Sequence, residues 1–113
     1  MDEKTIFEKI IAGEVAAEVL LENEVAIIIR DINPQAPIHV LIIPKKKISR
    51  VGEATSEDGN LLGELLLVAK DFANANNLPS FRLVINSGRQ AGETVPHLHI
   101  HLLSGRPMAW PPG

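Results

Sequence analysis

Residues 97–103 read His-Leu-His-Ile-His-Leu-Leu and hold three of the chain's four histidines. Such alternation suits a β-strand, on which successive side chains point to opposite faces. His97, His99 and His101 would then share one face, and Leu98, Ile100 and Leu102 the other. The apolar face needs a core to sit on, so the segment calls for a sheet packed on that side. The imidazole face is poor core material. It offers nucleophiles, proton carriers or metal ligands that act near neutral pH. A strand that merely displays three exposed polar residues is the plainer alternative, and the scarcity of histidine elsewhere weighs against it.

The remaining residues must supply the sheet and its cover. A chain of 113 residues suits one domain, expected here as residues 1–113 with a C-terminal tail over 106–113. Hydrophobic residues make up 45% but aromatics only 4%, so Ile, Leu and Val must fill the core. A net charge of −3 argues against nucleic acid as a partner, which would need a broad basic face. It leaves room for one small anionic ligand held by local donors. Cysteine is absent, which removes disulfides, thiolate metal sites and a cysteine nucleophile. The charged start, Met-Asp-Glu-Lys, does not read as a signal peptide, and no apolar run reaches the length of a membrane span. A soluble cytoplasmic protein with no membrane partner is the expectation.

Thr5-Ile6-Phe7-Glu8 forms a capping-box pattern that starts a short helix, and Gly13 stops it. Val15 to Leu21 and Val25 to Arg30 read as strands, joined by a turn at Glu22-Asn23-Glu24 in which Asn23 would accept positive φ. Ile27-Ile28-Ile29 suggests a strand buried on both faces. Asp31 to Pro37 is a loop, its two prolines barring a ladder. Ile38 to Ile43 is a third strand ending at Pro44 and carrying His39. Lys45-Lys46-Lys47 reads as a solvated run, with phosphate binding the less favoured role. Thr55 or Ser56 caps a long helix running to about Asn76. Its apolar stripe comprises Leu61, Leu62, Leu65, Leu66, Val68, Ala69, Phe72 and Ala73. Phe81 to Asn86 is a fourth strand, Ser87 to Pro96 a glycine-bearing loop, and the histidine segment the fifth strand. This order predicts an α+β fold, an antiparallel sheet with its helices on one side.

Three chemistries fit a row of imidazoles. A catalytic zinc takes up to three histidines. However, the rise of a strand separates the Cα atoms of His97 and His101 by about 13 Å, so a pair joined by His39 is the more plausible ligand set. Neutral imidazole is also a nucleophile whose P–N adducts turn over, and flanking histidines can move protons for the same reaction. The loop from Asn86 to Thr94 leads straight into the row. Its Gly88 and Gly92 allow backbone N–H groups to converge on an anion, and Thr94 adds a hydroxyl.

His97 to Leu103 resembles the motif of the histidine-triad (HIT) superfamily, His-φ-His-φ-His-φ-φ with φ apolar. Other segments resemble its Hint branch, the purine nucleoside phosphoramidases: Thr5 to Phe7, Arg30 to Pro37, Ile42 to Lys46, Leu61 to Gly63, Val84 to Asn86 and Met108 to Gly113. The resemblance implies a five-stranded antiparallel sheet with one long and one short helix, dimerising into a ten-stranded sheet. It implies hydrolysis of AMP– or GMP–amine conjugates without cofactor or metal. His99 would be the nucleophile, forming a nucleotidyl-histidine. His97 and His101 would orient it and supply protons, and His39 would be an accessory histidine. Asp31 would accept from ribose hydroxyls, with Ile32 beside it. Phe7, Ile10 and Leu41 would pack on the base. Asn86, Gly92 and Thr94 would meet phosphate or leaving group, and Trp110 would reach toward the partner subunit's site. Glu93 stands where an amide is common, Thr94 where Ser is common and Pro96 where Tyr is common; Glu93 adds negative charge near the nucleotide.

Each of these residues also has a plainer role. Asp31 could start a turn, Asn86 could cap its loop, Phe7 and Leu41 could be ordinary core, and Trp110 could anchor its own tail. Two other functions fit the same pattern: a dinucleoside-polyphosphate hydrolase, against which the tail weighs, and a nucleotide-binding adaptor with little turnover.

Overall fold

Thr5 Oγ1 accepts from the Glu8 backbone N–H at 3.1 Å, and Glu8 Oε1 accepts from the Thr5 N–H at 2.9 Å. The capping box is therefore formed, and helix α1 spans Ile6–Ile11. Gly13, at φ +78°, turns the chain away, as a left-handed exit favours glycine. This geometry comes from a computed structural model that describes residues 4–113.

Five strands follow: β1 Val19–Glu22, β2 Ala26–Arg30, β3 Ile38–Pro44, β4 Arg82–Val84 and β5 Ile100–Ser104. They form one antiparallel sheet in the order β1-β2-β3-β5-β4. Between β3 and β4 lies the long helix α2, Gly59–Ala75. A 3-10 turn at Ser56–Asp58, capped by Thr55, leads into it. The sheet and the two helices agree with the expected α+β architecture.

Burial on both faces organises the layers. Ile27, Ile28 and Ile29 are all buried, as are Val40 to Ile43. One face carries Ala26, Ile28, Val40, Ile42, Leu98, Ile100 and Leu102 against Leu65, Ala69, Phe72 and Ala73 of α2. The other carries Ile27, Ile29, Leu41 and Ile43 against Phe7 of α1. The helices thus lie on opposite faces, not on one side as expected, because apolar side chains alternate to both sides of β2 and β3 and each side needs cover. The stripe on α2 is also narrower than expected. Leu65 is fully buried, but Leu66 is 47% exposed, since one residue further rotates the side chain by about 100°.

Three strands are shorter than the sequence suggests. The Arg30 N–H bonds to the Glu18 carbonyl at 3.0 Å, and there β2 ends. Residues 15–17 consequently lie outside the ladder, and β1 starts at Val19. At the histidine segment the Leu98 N–H bonds to the Ile48 carbonyl at 2.7 Å instead of entering the ladder. Only His101 of the three lies inside β5, and β4 pairs only over Arg82–Val84. Asn23 closes the first hairpin differently as well. Its Oδ1 accepts from Val25 N–H and Ala26 N–H at 2.8 and 2.9 Å. The side chain mimics a turn, and Asn77 is the non-glycine residue with positive φ among those described.

Leu65 sits at the centre of the α2 face. Leu65→Ala should lower unfolding free energy by about 2–5 kcal/mol in a denaturant titration. A loss below about 1 kcal/mol would mean that α2 is not seated on this core.

Candidate active site

The sheet face under α1 is only partly covered by that six-residue helix. Beside it opens a cavity of about 730 Å³. Its apolar walls include Ile6, Phe7, Ile10, Val15, Ile29 and Leu41. Asp31, Ile32, Thr94, His99 and His101 lie on the same wall surface. Ile32 is fully exposed at the rim, which is unusual for an isoleucine without a partner.

The alternation of the histidine segment persists although the ladder does not. Leu98, Ile100 and Leu102 point into the α2 core, and the imidazoles point to the α1 face. The rings are not a solvated row, however. His97 is fully buried and His99 is 7% exposed. Burial is tolerated because their N–H groups meet backbone carbonyls. His97 Nε2 lies 2.9 Å from the Pro44 carbonyl, and His99 Nδ1 lies 2.8 Å from the His97 carbonyl.

Those carbonyls settle which ring nitrogen carries the proton, since a carbonyl oxygen only accepts. His99 must hold its proton on Nδ1, which leaves Nε2 with a free lone pair. Phe7 packs edge-on against this ring at 4.9 Å between centroids. A second chain of bonds runs behind the cavity. The Gln35 backbone N–H donates to His39 Nδ1 at 3.0 Å. His39 therefore carries its proton on Nε2, which lies 2.9 Å from His101 Nδ1 and donates to it. His101 is left with its proton on Nε2. The ring centroids of His99 and His101 are 5.1 Å apart.

Burial holds His39, His97 and His101 neutral. His101 is pushed down to about 4, first by burial and then by the like charges of His99 and His39, with Asp31 opposing. Burial lowers His39 against the pull of Asp31. It also lowers His97, against the Pro44 carbonyl. His97 Nδ1 is buried and has no partner among the described residues; this ring is not on the cavity wall and meets Phe7 edge-on, 6.2 Å between centroids.

The other expected residues divide. Asp31 takes its turn-starting role and also faces a histidine. One carboxylate oxygen accepts from the Asn33 N–H at 2.8 Å, starting a turn, and the other faces His39 Nε2 at 3.4 Å. Asn86, Gly92 and Glu93 lie behind the wall and not on it. The Asn86 side chain packs close to Gly92, and the Glu93 carboxylate is held by Arg50 at 2.8 and 2.9 Å. Trp110 is 82% exposed. The lysine run pairs with carboxylates: Lys45 with Glu22, Lys46 with Asp58 and Lys47 with Glu8. Sequence reasoning missed Gln35, Pro44 and Arg50. Gln35 and Pro44 act through backbone atoms, which leave no trace in residue type, and Arg50 lies 43 positions from its partner.

Asp31, His39 and His101 bring ligand-type atoms within 4.8 Å of one another. Their protonation does not suit a cation. His39 Nε2 carries a proton because Gln35 occupies Nδ1, and a metal there would require breaking that bond. The lone pair of His99 Nε2, beside the cavity, belongs to a different group.

A family model described as the HIT domain matches residues 12–108. An uncharacterized HIT-like protein of Synechocystis is 52% identical over 114 residues, covering 100% of both chains. A Zea mays protein described as a 14 kDa zinc-binding protein is 49% identical over 115 residues, covering 99% of this chain and 90% of that one. The solved structure of a HIT family hydrolase from Legionella pneumophila Philadelphia 1 superposes with a TM-score of 0.95 at 45% identity, covering 97% of this chain and 100% of the other.

The neutral rings predict how stability depends on pH. Unfolded histidines bind protons below about 6.5, whereas His39, His97 and His101 resist them when folded. The unfolded state therefore binds more protons as pH falls from about 6.5, and stability drops. Depressed carboxylates add their own loss only below about 4.5. Melting should fall by at least about 5 °C between pH 6.5 and 5. A flat melting temperature across that window would contradict neutral, buried rings.

Proposed function

The chain belongs to the HIT domain family, and on that premise we propose that it is a cytosolic hydrolase of purine nucleoside 5′-phosphoramidates. It would split the P–N bond that joins AMP or GMP to an amine. The observation that carries this reading is the free Nε2 lone pair of His99, held by the Nδ1–H bond to the His97 carbonyl beside a cavity of nucleotide size.

In this reading Phe7, Ile10 and Leu41 pack on the base, Ile32 closes over it at the rim and Asp31 accepts from the ribose hydroxyls. Thr94, with Asn86 and Gly92 behind it, receives the phosphate. His99 Nε2 attacks the α-phosphorus, and the electron pair of the P–N bond goes to the leaving nitrogen. That nitrogen takes a proton from solvent as the His101 Nε2–H donates a hydrogen bond to it, so His101 stays neutral. The phosphorylated His99 is left cationic, 5.1 Å from His101 between ring centroids. Water then attacks phosphorus and gives its proton to solvent, releasing the nucleotide and neutral His99. His39 holds the His101 tautomer, and His97 supplies the carbonyl that orients the nucleophile.

A homodimer belongs to the same reading. β4 is an exposed sheet edge, and Leu66, Leu67, Phe81 and Ile85 are 38–58% exposed around it and on α2. A second copy related by a two-fold axis would cover this surface. It would also give Trp110 a place at the partner's cavity, with Pro107, Pro111 and Pro112 stiffening the tail.

His99→Ala should lower turnover of an adenosine 5′-phosphoramidate more than about 1,000-fold while AMP still binds. In the wild type, chelator should leave the rate within about a factor of two. The assay should be run beside a diadenosine polyphosphate, which should turn over more slowly. Full activity in His99→Ala would end the covalent mechanism, and a collapse restored by zinc would put a metal at the site. Light scattering should report a dimer at micromolar concentration. Truncation after Gly105 should change kinetics across bulky and small amines more than it changes melting. Identical kinetics in the truncated protein would remove Trp110 from the site.

A further inference from the structure

Glu93 carries a charge next to the residue that lines the cavity, Thr94. Its side chain is 5% exposed and turned back into the loop. Arg50 grips it with two parallel bonds, Nε to Oε1 at 2.8 Å and Nη2 to Oε2 at 2.9 Å. The Gly88 N–H donates to Oε1 at 2.9 Å, and the Glu93 N–H returns a bond to the Gly88 carbonyl at 3.1 Å. The loop is thereby closed into a ring across Gly88 and Glu93, with Gly88 and Gly92 at φ +98° and +105° where other residues would be strained. A second stitch runs from the Gly52 N–H to Ser87 Oγ at 3.1 Å. The Leu98 N–H to Ile48 carbonyl bond anchors the far end. Residues 94–97 are therefore held between two fixed points, Arg50 with Glu93 and Ile48 with Leu98.

We propose that Arg50 is a positioning residue for the anion-receiving loop: it cancels the Glu93 charge beside the cavity and fixes the backbone that presents Thr94. This rests on the reading that a nucleotide phosphate binds there. The chemistry requires such a device. A carboxylate left free at this point would repel a phosphate across a short, poorly screened path. It would also withdraw its bonds from Gly88 and open the loop. A two-pronged guanidinium satisfies both oxygens at once, which a point charge does less well. Glu93 is correspondingly pulled down to about 2, first by Arg50, then by the Gly88 N–H, with a further contribution from His99. It stays ionised throughout the neutral range, so the pair does not switch with pH.

Removing the cation alone should do more harm than removing both charges. Calorimetry with AMP and with uncharged adenosine reads this directly, alongside melting temperatures. Arg50→Gln should weaken AMP about tenfold and adenosine less than about twofold. Adding Glu93→Gln in the same protein should recover AMP affinity to within about threefold of wild type. Arg50→Lys, which keeps the charge, should fall between Arg50→Gln and wild type. In turnover of an adenosine phosphoramidate, the Arg50→Gln defect should appear mainly in KM. If Arg50→Gln does not fold, the double variant decides: it must fold and bind AMP within about threefold of wild type. Equal AMP affinity in Arg50→Gln and wild type, or a double variant no better than the single one, would overturn the proposal. So would a parallel loss for adenosine. A wild type that binds AMP but leaves phosphoramidates intact would fail the catalytic reading and leave the AMP comparison as the test of Arg50. A wild type that binds no AMP would end both.

Discussion

The bond from His99 Nδ1–H to the His97 carbonyl spans two residues and determines the geometry around it. It requires the chain to leave the β-ladder before Ile100, since the Leu98 N–H is already committed to Ile48. That departure shortens β5, and with it β4, and turns a regular strand start into a loop that can hold rings at different depths. It also sets the protonation of His99. A carbonyl that only accepts leaves one tautomer, so no solvent reorganisation is needed to present the Nε2 lone pair. The Pro44 carbonyl does the same for His97, and the Gln35 N–H does it in reverse for His39. Three backbone groups thus order the four imidazoles.

The cavity follows from a mismatch of sizes. β2 and β3 expose apolar side chains to both faces, and α2 with its 17 residues covers one of them. The other face has only α1, six residues long, and a segment over residues 15–17 that lies outside the strands. Apolar sheet surface remains uncovered between them, and its edge carries Asp31, Thr94, His99 and His101. Apolar walls with a few polar groups on one rim suit a flat base attached to a charged tail. The same arrangement keeps His101 near 4, because the rings sit against hydrocarbon rather than water.

Charge is arranged to stay out of the way. The lysine run, which could have met a phosphate, is engaged by Glu22, Asp58 and Glu8. Arg50 is engaged by Glu93 and Glu53. The N–H groups of Gly88, Ala91, Gly92 and Glu93, expected to converge on an anion, are instead spent within their own loop, so an anion in the cavity would meet the Thr94 hydroxyl and the imidazoles of His99 and His101.

The sequence by itself determined the periodic features. Alternation at 97–103 assigned the imidazoles and the aliphatics to opposite faces. The capping box at Thr5 and Glu8 and the long apolar period of α2 located the helices, and Ile27-Ile28-Ile29 marked a strand buried on both sides. These were legible because each is a local rule about side-chain direction or a cap within one turn. The family resemblance supplied the candidate residues. Tertiary structure alone decided the depth of the histidines, the side of the sheet on which each helix lies, where the strands end, and which ring nitrogen is free. Each of these depends on a partner far away in sequence or on a backbone atom. Pro44 reaches His97 across 53 positions, Ile48 takes the Leu98 N–H, and Arg50 crosses 43 positions to Glu93. Backbone carbonyls and amides are the same in every residue type, so no pattern of side chains could have announced them.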